Sequence, residues 1–229
     1  MSQNKTYLAI IPARGGSKRL PRKNILDLCG KPLIEWSIEA GLDSKYINKV
    51  IVSSDDEEIL ALATKCGVEA LARPDYLAND TATTFDAIRH AIENNERYEY
   101  VVLLQPTSPL RNAKHIDEAI RLLEEKNADA IVSVCEMEHS PLWSNTLDDT
   151  LSMEGFLKDE VLNKRSQDLE TYFRLNGAIY ICKTEKLLEE KSFFLKKNIY
   201  AYVMDKSTSI DIDTVFDFKM ASFMMGYYG

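Results

Sequence analysis

Short apolar runs and amphipathic segments alternate along the first 135 residues, and this alternation constrains the fold more than any other feature. Residues 7–12 and 100–104 are apolar without a polar face, which is typical of strands buried in a parallel sheet. Residues 32–41 and 113–126 repeat apolar positions at helical spacing and are predicted as amphipathic helices. A regular β-α order predicts a mostly parallel sheet with helices on both faces.

The rest of the chain continues this order with one interruption. Further strands are predicted at 49–53, 68–71, 130–134, 176–182 and 199–204, and further helices end near 65, 94, 190 and 225. We therefore predict a Rossmann-like, three-layer α/β/α fold that forms a single domain over residues 1–229. Residues 136–175 are polar and loop-like, and they are predicted to leave the core as a subdomain or a dimerisation arm.

Charge and composition exclude several classes of protein. The net charge of −8 disfavours non-specific binding to nucleic acid, so no nucleic-acid partner is expected. The sequence contains no run of eighteen consecutive apolar residues, so no membrane span is expected. No secretion signal is recognisable at Met1, so a cytoplasmic protein is expected. The four cysteines are far apart in the sequence, which argues against a zinc site or a disulfide framework.

A glycine-rich basic loop follows the first predicted strand. Residues 11–24 read I-P-A-R-G-G-S-K-R-L-P-R-K-N, which is neither a P-loop nor a dinucleotide-binding motif. Gly15 and Gly16 allow a tight turn whose N–H groups face an anion, and the surrounding cations would neutralise a polyphosphate. A plain solvated loop is the alternative, but the position after a buried strand favours a phosphate site.

Two acidic residues close to the final predicted helix form a D-x-D pattern. Asp211 and Asp213 are two residues apart on an extended segment, so their side chains leave the same face of the chain. Two carboxylates on one face favour a cation between them, and Mg²⁺ typically takes one or two carboxylates together with substrate phosphates. The alternative interpretation is that Asp213 or Thr214 merely caps the helix.

Polar residues near two later strands indicate a second subsite. Gln105 ends the strand in L-L-Q-P-T-S-P-L-R, where a substrate would lie in the crevice, although an ordinary β-α turn is equally consistent. Arg165 and Arg174 could clamp a carboxylate, because a guanidinium matches carboxylate geometry. A surface arginine paired with an acidic neighbour is the alternative for each of them.

In combination these segments closely resemble the acylneuraminate cytidylyltransferases, the CMP-sialic acid synthetases. The resemblance is carried, in the family's order, by the basic loop, V-S-S-D, R-P-D-Y-L-A-N-D-T-A-T-T, L-L-Q-P-T-S-P-L-R, F-R-L-N-G-A-I-Y and S-I-D-I-D-T. It implies a nucleotidyltransferase in which the anomeric hydroxyl of a nine-carbon sugar acid attacks the α-phosphorus of CTP and releases pyrophosphate. It also implies Mg²⁺, with Mn²⁺ as a substitute, and no covalent enzyme intermediate.

The resemblance implies a role for each residue that matches a family motif. The catalytic residues would be Lys23, Arg14 and Asp213, and the metal ligands Asp211 and Asp213. The nucleotide would be held by Ala13, Arg14, Gly15, Lys18, Lys23, Asn24, Arg73, Ala82 and Thr84. The sugar acid would be held by Gln105, Arg165, Arg174, Asn176, Tyr180, Phe193 and Phe194. The aromatic pair would pack over the sugar across the interface of a homodimer whose subunits exchange arms, unless it is simply a buried apolar patch.

Two departures from the family pattern concern the acceptor. Leu175 stands where many members have proline, and residues 143–165, in the predicted arm, match only loosely. The resemblance implies N-acetylneuraminate or a close relative as the acceptor, with legionaminic acid as the nearest alternative and pseudaminic acid or Kdo less favoured. The alternative of another class is a catalytically silent nucleotide-binding module, which would have no need of Asp211 and Asp213 as a pair.

Overall fold

A seven-stranded sheet forms the centre of the protein in the computed structural model, which describes residues 5–17, 19–78 and 82–228. The strands are β1 (Tyr7–Pro12), β2 (Asp27–Leu28), β3 (Lys31–Pro32), β4 (Lys49–Ser54), β5 (Glu69–Ala72), β6 (Tyr100–Leu103), β7 (Ala130–Glu136), β8 (Phe173–Lys183) and β9 (Ile199–Met204). The helices are α1 (Leu33–Leu42), α2 (Glu57–Lys65), α3 (Thr84–Glu93), α4 (Ala113–Glu125), α5 (Thr184–Glu190) and α6 (Val215–Tyr228). In the described part of the chain, no helix is both long and apolar enough to cross a membrane.

Most neighbouring strands of the main sheet run parallel, as predicted. The order is β5-β4-β1-β6-β8-β7-β9, and only β8 runs against its neighbours β6 and β7. The remaining pairs, including β1 with β4 and with β6, are parallel. The predicted α/β fold with a mostly parallel sheet is therefore confirmed.

The central strand β1 is buried on both faces, which explains its unbroken apolar sequence. Ala9 and Ile11 pack in a core with α1, α2 and α4, whereas Leu8 and Ile10 pack in a second core with α3 and α5. Side chains alternate between the two faces of a strand, so consecutive apolar residues supply both cores. Each fully buried isoleucine of this kind contributes about 2–3 kcal/mol relative to an exposed one.

Side-chain caps fix the starts of two helices beside the cleft. Asp56 accepts hydrogen bonds from the backbone of Glu58 at 3.0 Å and Ile59 at 3.1 Å, so α2 begins one residue after it. Thr83 caps α3 in a reciprocal arrangement with Asp86. Both caps satisfy backbone N–H groups that a helix start leaves without partners.

The structure adds one element that the periodicity does not predict and lengthens another. β2 and β3 form a small hairpin whose turn, Cys29-Gly30, has positive φ at both residues, 55° and 94°. Such a turn matches the twist of paired strands, but strands of two residues are too short to show alternation. β8 begins at Phe173, three residues before the predicted start, because its first residues pair with the end of β7.

Residues 137–172 correspond to the predicted arm and contain only short 3-10 turns among their regular elements. Four large apolar side chains of this segment are more than half exposed: Leu147, Leu151, Met153 and Leu162. A segment that leaves such side chains in solvent buries little core of its own within one chain. Residues 137–172 therefore lie outside the main sheet, whereas Glu136 and residues 173–175 of the predicted segment belong to β7 and β8.

Candidate active site

One cleft lies at the carboxyl ends of the parallel strands, where an open α/β sheet binds its ligands. Its cavity has a volume of about 690 Å³. Eight of the predicted site residues line it: Arg14, Lys23, Asn24, Arg73, Ala82, Thr84, Gln105 and Asp213. They come from the loops after β1, β5 and β6 and from the segment before α6, so distant parts of the sequence meet at one place.

The glycine-rich loop is fixed against the start of α2. A side chain on Gly15 would meet the Asp56 carboxylate oxygen at 2.7 Å, so only glycine allows this approach. The Gly15 N–H donates to the Asp55 carboxylate at 3.1 Å, and the Asn24 amide donates to the Arg14 carbonyl at 3.0 Å. The loop thus holds its shape through its own contacts and already directs an N–H group at an anionic oxygen.

Lys23 joins the basic loop to the acidic segment before α6. Its side chain is nearly buried, and its ammonium donates to the Ile212 carbonyl and to the Asp213 carboxylate, the latter at 3.4 Å across 190 residues of sequence. Arg19 donates to the other oxygen of Asp213 at 2.7 Å. The two motifs that the sequence places at opposite ends of the chain therefore converge in a single cleft.

The Asp211 carboxylate lies beside the loop that follows β6. The Ile212 N–H donates to the Thr107 carbonyl at 2.8 Å, which anchors the acidic segment to that loop. Partial enclosure by the surrounding chain raises the pKa of Asp211, and the negative charge of Asp213 raises it further. A hydrogen bond from Thr107 and the positive charge of Lys23 act in the opposite direction. Two carboxylates that repel each other in this way favour a cation between them.

The donor set fits a cation that shares its coordination with a substrate. The described residues contain no group of three acidic, histidine or cysteine side chains that could enclose a metal. Asp211 and Asp213 provide two hard oxygen ligands beside a cavity lined with cations, which is the set that Mg²⁺ uses when substrate phosphates complete its shell. Zinc, which favours nitrogen and sulfur ligands, does not suit this site.

Arg73 lines the cavity from the loop that follows β5. Its guanidinium donates to the Ser53 carbonyl at 2.7 Å, and burial lowers its pKa. Ala82 and Thr84, at the start of α3, also line the cavity. The three residues predicted to contact the base and ribose therefore line one cavity together.

Gly177 lies beside one predicted sugar residue, Gln105, and one predicted metal ligand, Asp211. This glycine has a φ of +74°, and a side chain there would contact the Asp211 carboxylate at 3.4 Å and the Gln105 amide oxygen at 3.7 Å. The ring of Tyr180 lies 5.7 Å from that of Phe193 and 6.1 Å from that of Phe194. Phe193 is buried in the core within one chain, whereas Phe194 is 51% exposed.

Other predicted residues lie outside the lining of the main cavity. Arg174 forms an ion pair with Glu138 at 2.9 Å, and Arg165 is exposed on the arm. Asn176 is buried, and its amide bonds to Ser133 and Ser209 inside the protein. Ala13 is also buried behind the loop, and Lys18 lies outside the described residues. A single chain therefore gathers the predicted nucleotide residues more completely than the predicted sugar residues.

The cavity also contains residues to which the sequence patterns assign no role. Arg19 and Thr107 line it and contact the acidic segment directly. Arg19 lies in the basic loop and Thr107 in L-L-Q-P-T-S-P-L-R, but in each motif other residues match a known functional role more clearly. Leu77 and Ala78 also line it, and apolar residues in a loop give no signal that distinguishes a base-binding wall from ordinary packing.

The chain belongs to the cytidylyltransferase family, whose sequence pattern it matches over residues 8–223. It is 41% identical over 215 residues to the N-acylneuraminate cytidylyltransferase of Escherichia coli O18:K1:H7, a match that covers 93% of this chain and 51% of that protein. The chain thus spans about half the length of that relative.

Relatives of similar length act on other sugar acids by name. The chain is 36% identical to the pseudaminic acid cytidylyltransferase of Campylobacter jejuni serotype O:23/36, over 95% of both chains. It is 35% identical to the CMP-N,N'-diacetyllegionaminic acid synthase of Legionella pneumophila, again over 95% of both chains. The similarity therefore extends to several acceptors within one family.

A solved structure shows the same fold at low sequence identity. The CMP:2-keto-3-deoxy-manno-octonic acid synthetase complexed with CTP superimposes with a TM-score of 0.75 at 18% identity, covering 98% of this chain and 100% of that one. This likeness confirms the Rossmann-like α/β architecture.

Proposed function

We propose that the protein transfers CMP from CTP to the anomeric hydroxyl of a nine-carbon 2-keto sugar acid and releases pyrophosphate. The observation that carries this proposal is the contact of Lys23 with Asp213 and with the Ile212 carbonyl. It brings a cationic loop suited to a triphosphate to a pair of carboxylates suited to Mg²⁺. Membership of the cytidylyltransferase family supports cytosine as the base.

The chain's own residues would act by positioning the triphosphate and stabilising its charge. Arg14, Lys23 and Arg19 line the phosphate end of the cavity, where cations neutralise the charge that develops during phosphoryl transfer. Gly15 would offer its N–H to a phosphate oxygen in exchange for the Asp55 carboxylate, and Asn24 would hold the loop in shape. Asp211 and Asp213 would hold Mg²⁺, or Mn²⁺ in its place, and the ion would supply Lewis-acid chemistry to the phosphates.

The acceptor would enter on the side of Gln105 and Gly177. Gln105 would hydrogen-bond the sugar, Tyr180 would pack beside it, and Asn176 would support this wall from inside. Arg165 and Arg174 would bind the carboxylate, for which Arg174 must exchange its ion pair with Glu138 for one with the substrate. We propose that the reaction takes place in the cytoplasm.

A homodimer would complete this acceptor side. The exposed apolar residues of the arm, residues 137–172, and the exposed ring of Phe194 are suited to burial against a second subunit. Exchange of arms would carry Arg165 to the neighbouring sugar site, and Phe194 would pack over that sugar across the interface of the dimer. Phe193, which is buried in the core, would support Phe194 from behind.

A pyrophosphate-release assay tests the reaction and its acceptor. CTP is offered with N-acetylneuraminate, legionaminate, pseudaminate or Kdo, with and without Mg²⁺, and ATP, GTP and UTP serve as controls. Release with CTP and N-acetylneuraminate or legionaminate, dependent on Mg²⁺, is the expected result. Release with pseudaminate or Kdo alone would reject the proposed acceptor, and the absence of release with all four would reject the proposed class of substrate.

A further inference from the structure

The strands β6 and β8 separate at the edge of the cleft, and one arginine lies at the fork. Their antiparallel register runs to the pair Leu103 and Tyr180, and its continuation would place Gln105 opposite Ala178. These two residues are instead joined through the guanidinium of Arg111, which donates to the Gln105 carbonyl at 3.3 Å and to the Ala178 carbonyl at 3.5 Å. Arg111 therefore takes over the bridging of the two strands where their own ladder ends.

Arg111 is a buried cation without an acidic partner among the described residues. It is 1% exposed, its third contact is the Ser37 hydroxyl at 2.7 Å, and its Nη1 atom has no hydrogen-bond partner. Burial lowers its pKa to about 9, so it remains charged at neutral pH. Removing an unpaired guanidinium from water costs several kcal/mol, and packing alone could be achieved by an apolar side chain at lower cost.

The fork lies directly behind the proposed acceptor subsite. The Gln105 side chain lines the main cavity, and Gly177 lies between the side chains of Gln105 and Asp211. The width of the fork thus sets how far Gln105 stands from the strand that carries Gly177. A fixed positive charge behind this wall also favours an anion in front of it, because the protein interior screens charge less than water does.

We propose that Arg111 is a positioning residue for the acceptor subsite, which it opens to the correct width and biases with its charge towards an anionic sugar. This inference rests on the proposed function, since it requires a negatively charged acceptor. Arg111 touches neither substrate, and it acts through Gln105 and Gly177. If Arg111 had only a structural role, its substitution would lower the stability of the protein and change the KM values of both substrates to a similar extent.

The test compares the KM values of the two substrates in two variants and a control. Arg111→Gln keeps a hydrogen-bond donor and removes the charge, and we expect the KM for the sugar acid to rise about tenfold while the KM for CTP changes less than about twofold. Arg111→Lys keeps the charge but cannot donate to the Gln105 and Ala178 carbonyls at the same time, and we expect the KM for the sugar acid to rise about threefold. Tyr7→Phe, which removes the partly buried hydrogen bond from the Tyr7 hydroxyl to Glu124 at the end of β1 away from the cleft, should lower the melting temperature with both KM values unchanged.

Equal changes in the two KM values, or no change in a folded Arg111→Gln protein, would overturn the inference. If that variant does not fold, the Arg111→Lys protein decides the question by the same comparison, and an unchanged KM for the sugar acid overturns it. Failure of the proposed function is a separate result, because the unaltered protein would then release no pyrophosphate with any of the sugar acids.

Discussion

The nucleotide side and the acceptor side of the cleft differ in how far one chain completes them. On the nucleotide side, the residues are fixed by contacts within the chain, as Gly15 is by Asp55 and Lys23 by Asp213. On the acceptor side, Arg174 forms an ion pair with Glu138, and the ring of Phe194 is about half exposed. We therefore expect binding of the nucleotide and recognition of the sugar to be separable properties. Four variants, taken in order of decreasing expected effect, test this separation.

Removal of both acidic charges should have the largest effect. Asp211→Asn together with Asp213→Asn should lower Mg²⁺-dependent turnover by about 10³-fold or more, because the site then lacks its anionic metal ligands. The measurement is pyrophosphate release against Mg²⁺ concentration, with melting temperature as a check on folding. Asp129→Asn is the matched control, since Asp129 accepts a hydrogen bond from Asn198 before the start of β7, away from the cleft, and should affect stability alone. Unchanged turnover at ordinary Mg²⁺ concentrations would reject the metal site.

Loss of Lys23, which joins the basic loop to the acidic segment before α6, should have the second largest effect. Lys23→Ala should lower kcat by about 10²–10³-fold, the range for loss of one preorganised donor to a developing charge. Single-turnover kinetics at saturating CTP and sugar acid measure this loss. Lys31→Ala is the control, because Lys31 contacts Glu39 and the ring of Trp36 away from the cleft. Near-normal kcat in the Lys23 variant would remove its assigned role.

A substitution on the acceptor side should separate the two substrates. Arg174→Ala should raise the KM for the sugar acid by about tenfold and leave the KM for CTP unchanged, because a guanidinium that binds a carboxylate is lost. Steady-state kinetics with each substrate varied in turn give both values. The opposite pattern would mean that the nucleotide and sugar subsites have been assigned the wrong way round.

The smallest effect should come from the acidic partner of that arginine. Arg174 holds the pKa of Glu138 below its ordinary value, so the pair is charged at neutral pH. Glu138→Gln should free the guanidinium and lower the KM for the sugar acid by about twofold, which is the scale of an exposed ion pair. A KM that rises instead would indicate that Glu138 orients Arg174 for the substrate.

The sequence predicts the nucleotide side better than the acceptor side for physical reasons. β1 and β6 are unbroken apolar runs, and α2 and α3 begin at recognisable caps, so the elements that carry the loops could be predicted within a residue or two. The convergence of Lys23 with Asp213 follows from a rule about strand ends in parallel sheets.

The acceptor side depends on packing that has no local signature. Asn176 is in the predicted strand, but only the fold shows that its amide is used by Ser133 and Ser209 in the interior. Arg111 could equally be a surface residue near a helix start, and its burial at the fork depends on how β6 and β8 separate. The arm, residues 137–172, has no periodicity from which its course could be derived.

The 190-residue span between Lys23 and Asp213 has a consequence for how this protein is made. A ribosome that has released the chain only as far as Met204 has already supplied every strand of the main sheet, but no acidic partner for the lysine. Synthesis of the acidic segment, residues 210–213, would then convert a folded sheet into a binding-competent cleft. Retention of nascent chains on a CTP resin would therefore distinguish chains that include Asp213 from those that stop just short of Ile210.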